Sequence, residues 1–398
     1  MNKEIPSTFI KLNGTTDEMI EKSTGLKGGI PELLQTMRTK SKKKIVDLLL
    51  PTPCNQDCNH CFFKEEGGPA FIRTTPELIA EVRTLIDVLR LDQTNLTIYP
   101  REITCATDLL PVYAERGVDR ALTNIVLLNN SGVIEQLKKF GIKNLAVSLH
   151  GNQESHTTLT GVSAGDYQKT IEGIKKTIDS DFEISIFTTV YRGNVADLKE
   201  FFSLLARLGL KEVKLIRLIP AGSAKKLNDA AFLQEEDVRS MLWQIDSARK
   251  QFPDLRIALL GASFGPNFYS PATYRYLAGQ SNTWPNSTYI CPWTDQDYIG
   301  ISLGTKNIYP CFEALSFPET RIGSIVNGQI EITKSDITTE TLTKNLRGDC
   351  SDSCQFQPLC LGGCRVAAFS FAKRRNEQDP LFAGQDVCLT KILSQFNE

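Results

Sequence analysis

The chain has 398 residues, 41% hydrophobic and 23% charged, with a net charge of −1. That is ordinary globular material, long enough for one large domain or two to three ordinary ones. The charge balance gives no electrostatic case for nucleic acid or a membrane surface as a partner, and no apolar run reaches the length of a bilayer span. The stretch Met1-Asn2-Lys3-Glu4-Ile5-Pro6-Ser7 lacks a signal-peptide apolar core, so the expected location is cytoplasmic, where thiols stay reduced.

Residues 1–43 are polar and mixed and read as an N-terminal extension. They run into Lys40-Ser41-Lys42-Lys43-Lys44, a solvated lead-in to the first strand. From 44 to 260 strand and helix alternate. Strands are expected over 45–50, 95–99, 121–128, 144–149, 183–191 and 213–219, with a further short one over 255–260. Helices are expected over 76–89, 108–116, 133–140, 165–178, 195–208 and 235–252. In the first helix Leu78, Ile79, Val82, Leu85, Ile86 and Leu89 share one face. Gly141 and Gly209 end two of the others. Repeated strand–helix units predict an α/β fold with a parallel sheet. Six of them fit a partial (β/α)6 TIM-like barrel, with chemistry at the C-terminal strand ends.

Residues 261–290 are rich in Gly, Pro, Ser, Asn and aromatics and read as a linker or lid-like insert. From 291 to 398 the alternation is lost. Small loops separated by cysteines replace it, as in a small domain organised by metal.

Eleven cysteines are present. In a reducing compartment clustered cysteines read as metal ligands before disulfides. Cys54, Cys58 and Cys61 stand at C-x3-C-x2-C spacing directly after the first strand. Three thiolates on one short loop hold three corners of a soft metal centre, and a four-iron cluster so held keeps one iron open. The alternatives are zinc with His60 as fourth ligand, or three buried structural thiols. Seven more cysteines, Cys291, Cys311, Cys350, Cys354, Cys360, Cys364 and Cys388, follow the barrel, and Cys105 stands alone.

The cysteine loop resembles the cluster motif of the radical S-adenosylmethionine (SAM) enzymes, in which the open iron takes the amino group and carboxylate of SAM. The likeness runs on through the barrel. Tyr99-Pro100-Arg101-Glu102 stands where the family has Gly-Gly-Glu, which implies that Glu102 meets the SAM ammonium; the other reading is a surface Arg101–Glu102 pair. Thr123-Asn124 stands where the family often has Thr-Asn-Gly. Ser148-Leu149-His150-Gly151, with His156 to Gly161 after it, is similar to the family's strand-four segment. It implies a ribose contact for Ser148, while His150 meets substrate or SAM, or makes a structural hydrogen bond. Asn194 resembles a position near the SAM ribose and carboxylate, and serves equally as a helix cap. Arg217, ending strand six, leads into Pro220-Ala221-Gly222, a Pro-x-Gly of the kind that lies beside the adenine. His60 occupies a position where the family has an aromatic.

The C-terminal cysteines resemble the SPASM domain, which carries two auxiliary iron–sulfur clusters. The resemblance places Cys291, Cys311 and Cys364 at the first and Cys350, Cys354, Cys360 and Cys388 at the second; structural zinc is the alternative. Two spacings depart: the first close pair, Cys350 and Cys354, is C-x3-C where the family usually has C-x2-C, and the gap from Gly304 to Cys311 is slightly longer than usual. Three [4Fe–4S] clusters and SAM are therefore the implied cofactors, with an external one-electron donor such as flavodoxin or ferredoxin as partner.

The implied reaction is reductive cleavage of SAM to a 5′-deoxyadenosyl radical that takes hydrogen from substrate. The expected substrate is a peptide or protein, modified by crosslinking, oxidation or epimerisation. A tetrapyrrole or other small molecule in cofactor biosynthesis is the alternative, and a zinc-stabilised binding protein the non-enzyme one. Cys105, near Glu102, is a candidate hydrogen donor to a substrate radical, or a buried structural thiol.

Overall fold

The computed structural model describes residues 45–64, 73–92, 95–259, 298–333 and 362–384, with 345, 387, 388 and 392. Residues 1–43, the 261–290 insert, and Cys291, Cys350, Cys354 and Cys360 lie outside the described residues.

The first strand, β1 (Ile45–Leu49), is buried almost throughout. It is bonded in parallel on both edges, to β2 (Leu96–Tyr99) and to β8 (Tyr298–Ser302). Leu48 sits opposite Ile98 on one side and Ile301 on the other, and all three are core residues. Between β1 and β2 runs α1 (Pro76–Leu89). Thr75 caps it, accepting from Leu78 N at 3.2 Å, and Pro76 opens its first turn. Its buried residues, Leu78, Val82, Leu85 and Ile86, recur at one helical face.

A second parallel sheet contains β3 (Arg120–Thr123), β4 (Asn144–Ser148), β5 (Glu183–Val190), β6 (Glu212–Arg217) and β7 (Arg256–Leu259), in that order. The helices α2 (Leu110–Glu115), α3 (Ser131–Lys139), α4 (Gln153–Thr160), α5 (Ala164–Ile178), α6 (Arg192–Val195), α7 (Leu198–Arg207) and α8 (Glu235–Gln251) fill the connections. Strand alternation sets the layers. Leu145 and Val147 of β4, with Val213 and Leu215 of β6, enter the core. Ala146 and Ser148 of β4, with Lys214 and Ile216 of β6, line an interior cavity. β2 and β3 touch but share no ladder among the described residues. The expected partial barrel is therefore built as two sheets facing one cavity.

Two local expectations shift. The apolar run 125–128 is not a continuation of β3. Thr123 Oγ1 takes the amide of Ile125 (2.8 Å) and Asn124 Oδ1 that of Val126 (3.2 Å). These side-chain bonds replace the ladder and turn the chain into a short 3-10 segment, Val126–Asn129. The helix α4, absent from the periodicity, is set by its caps: Asn152 accepts from Ser155 N, and Gly161 ends it at φ 74°.

Beyond β8, the sheet continues through β9 (Asn307–Tyr309), β10 (Gly323–Val326) and β11 (Gln329–Ile332), all antiparallel. The last helix, α9 (Arg365–Arg374), is apolar nearly all round and buried. Phe369 packs edge-on against Phe317 at 5.2 Å, and Phe371 against Phe232 at 5.4 Å. Arg374 closes the seam. It donates to the carbonyls of Lys225 (3.1 Å) and Leu227 (2.6 Å), binds Asp229, and lies over the Phe232 ring. Arg374→Ala is expected to lower unfolding stability by about 1–3 kcal/mol, the range for lost bonds to a charged donor. Urea titration of wild type and variant checks this.

Candidate functional site

The loop carrying Cys54, Cys58 and Cys61 leaves β1 at the C-terminal edge of the first sheet, over the mouth of the cavity. Its shape is imposed from several sides. Internally, Cys61 N bonds to Cys58 O at 3.1 Å. From α4, the carbonyl of Thr158 accepts from Asn59 Nδ2 (3.4 Å), and that of Leu159 meets His60 Nδ1 (3.3 Å). From the turn after β6, Ser223 N donates to Cys61 O at 2.9 Å. Gly222, at φ 55°, lies so close that a Cβ there would collide with the Cys61 carbonyl and fall 2.9 Å from Phe62 Cα. Only glycine meets both demands. From the C-terminal segment, Ser316 Oγ donates to Phe62 O at 3.1 Å. The Phe312 ring stacks on Phe62 (5.2 Å) and meets Tyr99 at 4.4 Å.

Around the thiols stand polar groups from the ends of β2 and β3. Asn124 Nδ2 reaches Asn55 Oδ1 at 2.7 Å and Cys54 Sγ at 3.7 Å. Arg101 Nη2 reaches Cys61 Sγ at 3.6 Å, while Arg101 N donates to Thr52 Oγ1 at 3.0 Å. Glu102 borders the cavity with no exposed surface. Its Oε1 accepts from Thr104 N, Thr104 Oγ1 and Thr123 Oγ1, and its Oε2 from Asn124 N, at 2.6 to 3.1 Å. Three of these donors meet Oε1 and one meets Oε2. Burial pushes its pKa up and those donors oppose the rise. Glu102 thus ties the ends of β2 and β3 together. It is not half of a surface ion pair, since Arg101 and Glu102 are both buried.

All three histidines of the chain meet here. His60 packs edge-on to His150 at 4.6 Å, and His150 stacks on His156 at 5.4 Å. His150 Nδ1 accepts from Thr189 N at 3.0 Å, and His156 Nδ1 from His150 N at 3.2 Å. Burial lowers His60 and His156 to about 4 and His150 further. The row is neutral at ordinary pH, and His60 serves it as a ring.

Ser148 and Arg217 line the cavity. Arg217 is also held under the Phe371 ring of α9 at 4.7 Å. Asn194 does not line it. Its Oδ1 accepts from Tyr191 N, and its Nδ2 donates to His150 O (3.1 Å) and Thr189 O (2.9 Å), so all its capacity goes to capping and to tying β4 to β5. Cys105 is likewise outside the cavity lining. Its Sγ lies 3.9 Å from Asn55 Oδ1, beside the cysteine loop. Arg101 and Asn55 escaped the sequence reading as thiol neighbours. The signal was present in the charged residue standing where a glycine was expected.

Cys311 and Cys364 are buried in one apolar cluster with Leu49, Ala221 and Tyr309. Gly300 of β8 leaves room for the Cys311 backbone, 2.8 Å from where a Cβ would stand. Cys364 immediately precedes α9, where a helix N-terminus favours a thiolate.

Among the described residues no three His, Cys, Asp or Glu side chains converge on a point where one ion would sit. Cys54, Cys58 and Cys61 border the mouth of the cavity, and burial pushes the Cys54 and Cys58 thiols up to about 12. Three thiols on one short loop are a donor set that an iron–sulfur cluster takes. The cavity beneath has a volume of about 1130 Å³, above the ~300–1,000 Å³ typical of ligand pockets, so it has room for a cofactor.

Residues 50–205 match the family model described as the Radical SAM superfamily. A probable GTP 3′,8-cyclase of Saccharolobus islandicus is 30% identical over 209 residues, 50% of this chain and 64% of that protein. An AdoMet-dependent heme synthase of Methanosarcina barkeri is 26% identical over 208 residues, 50% of this chain and 58% of that one. The chain thus spans less than two thirds of the length of these curated relatives. Among solved structures, Streptococcus suis SuiB bound to precursor peptide SuiA aligns at TM-score 0.59 and 16% identity, over 89% of this chain and 78% of that one. Native anSMEcpe with bound AdoMet aligns at TM-score 0.59 and 15% identity, over 88% and 96%. At such identities the likeness is one of fold.

Two outcomes follow from this geometry. Gly222→Ala must push the Cys61–Phe62 backbone aside, at a cost of about 1–3 kcal/mol for the strained φ alone. Iron counting after anaerobic reconstitution is expected to show less metal than wild type, with the protein still folded. The second concerns His156, which takes a proton near pH 6.5 when unfolded but only near 4 when folded. Between those values the unfolded chain binds more protons, so stability falls as pH falls. By pH 5 the loss from this one group is about 2 kcal/mol. Unfolding midpoints at pH 7 and pH 5 should differ more in wild type than in His156→Gln.

Proposed function

We propose that this chain, whose residues 50–205 match the Radical SAM superfamily model, cleaves SAM reductively and abstracts hydrogen from a peptide or protein substrate. The observation that carries the reading is Cys54, Cys58 and Cys61 set over one large cavity at the C-terminal ends of parallel strands. Bound by those thiols, a four-iron cluster supplies the electron that splits SAM into methionine and the hydrogen-abstracting radical.

The chain's own residues bind and orient. Gly222, Ser223, Asn59 and Asn124 fix the loop. Phe62, Phe63, Tyr99 and Phe312 pack around its trailing end. Ser148 and Arg217 are the proposed SAM contacts on the cavity wall. Glu102 ties the ends of β2 and β3 together, and Asn194 ties the end of β4, which carries Ser148, to β5. The neutral histidine row offers ring surface and no acid or base, as hydrogen-atom abstraction requires. Cys311 and Cys364, with Cys291, are assigned to a first auxiliary cluster, and Cys350, Cys354, Cys360 and Cys388 to a second. An external one-electron donor of the flavodoxin or ferredoxin kind completes the system.

The peptide class is favoured by the reach of the fold likeness. It runs over 87–89% of this chain in SuiB and anSMEcpe structures, some of which carry peptides. The curated relatives match about half of the chain, and their names, GTP 3′,8-cyclase and heme synthase, favour a small-molecule substrate as the second reading. One experiment separates them. Reconstituted protein, SAM and a one-electron reductant are incubated with peptides encoded by neighbouring small genes, with GTP, or with a porphyrin, and deoxyadenosine and substrate mass are followed. A peptide mass change supports the reading; deoxyadenosine formation stimulated only by GTP or porphyrin overturns it. Cys58→Ala is expected to keep auxiliary iron and make no deoxyadenosine.

A further inference from the structure

Arg101 is the charged side chain seen in contact with a thiol of the loop. Its Nη2 lies 3.6 Å from Cys61 Sγ, within the reach of a sulfur hydrogen bond. The side chain is buried at 8% exposure and lines the cavity. Its backbone has little freedom. Arg101 N is tied to the buried Thr52 Oγ1 on one side. On the other, Glu102 is locked by four donors from Thr104, Thr123 and Asn124. A guanidinium keeps its charge in proteins, and in a partly desolvated site that charge is screened far less than in water.

We infer that Arg101 sets the reduction potential of the cluster held by Cys54, Cys58 and Cys61, its fixed positive charge beside Cys61 Sγ favouring the reduced state. This rests on the cluster reading given under Proposed function. When one electron passes from the external donor to the cluster, the site gains one negative charge. The guanidinium is unchanged and no proton moves. Hydrogen bonds to ligand sulfurs and net charge near the cluster are the levers by which a protein moves such potentials. Arg101 acts through Cys61 and is a positioning residue, not a catalytic one.

The test compares reconstituted wild type, Arg101→Gln and Arg101→Lys by redox titration with electron paramagnetic resonance detection, together with iron and sulfide counts. The resonance lost in Cys58→Ala identifies the cluster of the loop. Arg101→Gln keeps much of the side-chain volume and a donor but removes the charge. It is expected to shift the reduction equilibrium at least tenfold toward the oxidised state, about 59 mV for a one-electron couple, with iron content unchanged. Arg101→Lys should lie between Gln and wild type. An unchanged potential in Arg101→Gln overturns the inference, as does a variant that changes only its affinity for SAM, which would assign the guanidinium to that ligand. Loss of loop iron in both variants also overturns it, marking a purely structural clamp. Equal iron in wild type and Cys58→Ala would instead defeat the cluster reading, and this inference with it.

Discussion

The contact of the β6 turn with the cysteine loop governs the geometry of the site. Gly222 and Ser223 press on Cys61 and Phe62 closely enough that no side chain fits between them. The loop would otherwise be a surface excursion of polar residues with little apolar area to bury. Its position is borrowed from elements that do have cores: α4 through Asn59 and His60, β3 through Asn124, the C-terminal segment through Ser316 and Phe312. Precision at a site comes from the rigidity of its supports, and here the supports belong to strands and helices.

Polar groups around the mouth divide into two kinds. Glu102 and Asn194 are hydrogen-bonded to neighbouring strand ends of the protein itself, so they act as braces across them. Arg101, Arg217 and Ser148 face the cavity. The two kinds look alike in sequence. A carboxylate or amide at a strand end suggests a ligand contact, and only the count of donors and acceptors around it shows whether any capacity is left.

That difference explains what the sequence made legible. The alternation of strand and helix was readable because apolar periodicity is a one-dimensional signal: Leu78 to Leu89 on one face, Ile45 to Leu50 buried throughout. The cysteine loop was readable because three thiols at fixed short spacing have few uses. The break after Thr123 was not, since the run Ile125–Leu128 has strand composition and is diverted by two side-chain bonds. Nor was the convergence of His60, His150 and His156, which depends on where β4, α4 and the loop come together. The approach of Arg101 to Cys61 spans 40 positions and follows from the pairing of β1 with β2.

The pairing of β1 with β8 has a consequence for how the molecule is made. Tyr298 and Asp47 are hydrogen-bonded across 251 positions of chain. Contacts of such separation form late, because loop closure must precede them. During synthesis the chain lengthens from its N-terminal end, so β1 emerges early with one edge unpaired and stays so until residues beyond 302 are available. Phe312 and Ser316, which press on the cysteine loop, arrive later still. Completion of the thiol site is therefore postponed until the C-terminal segment has been made and has folded against the loop.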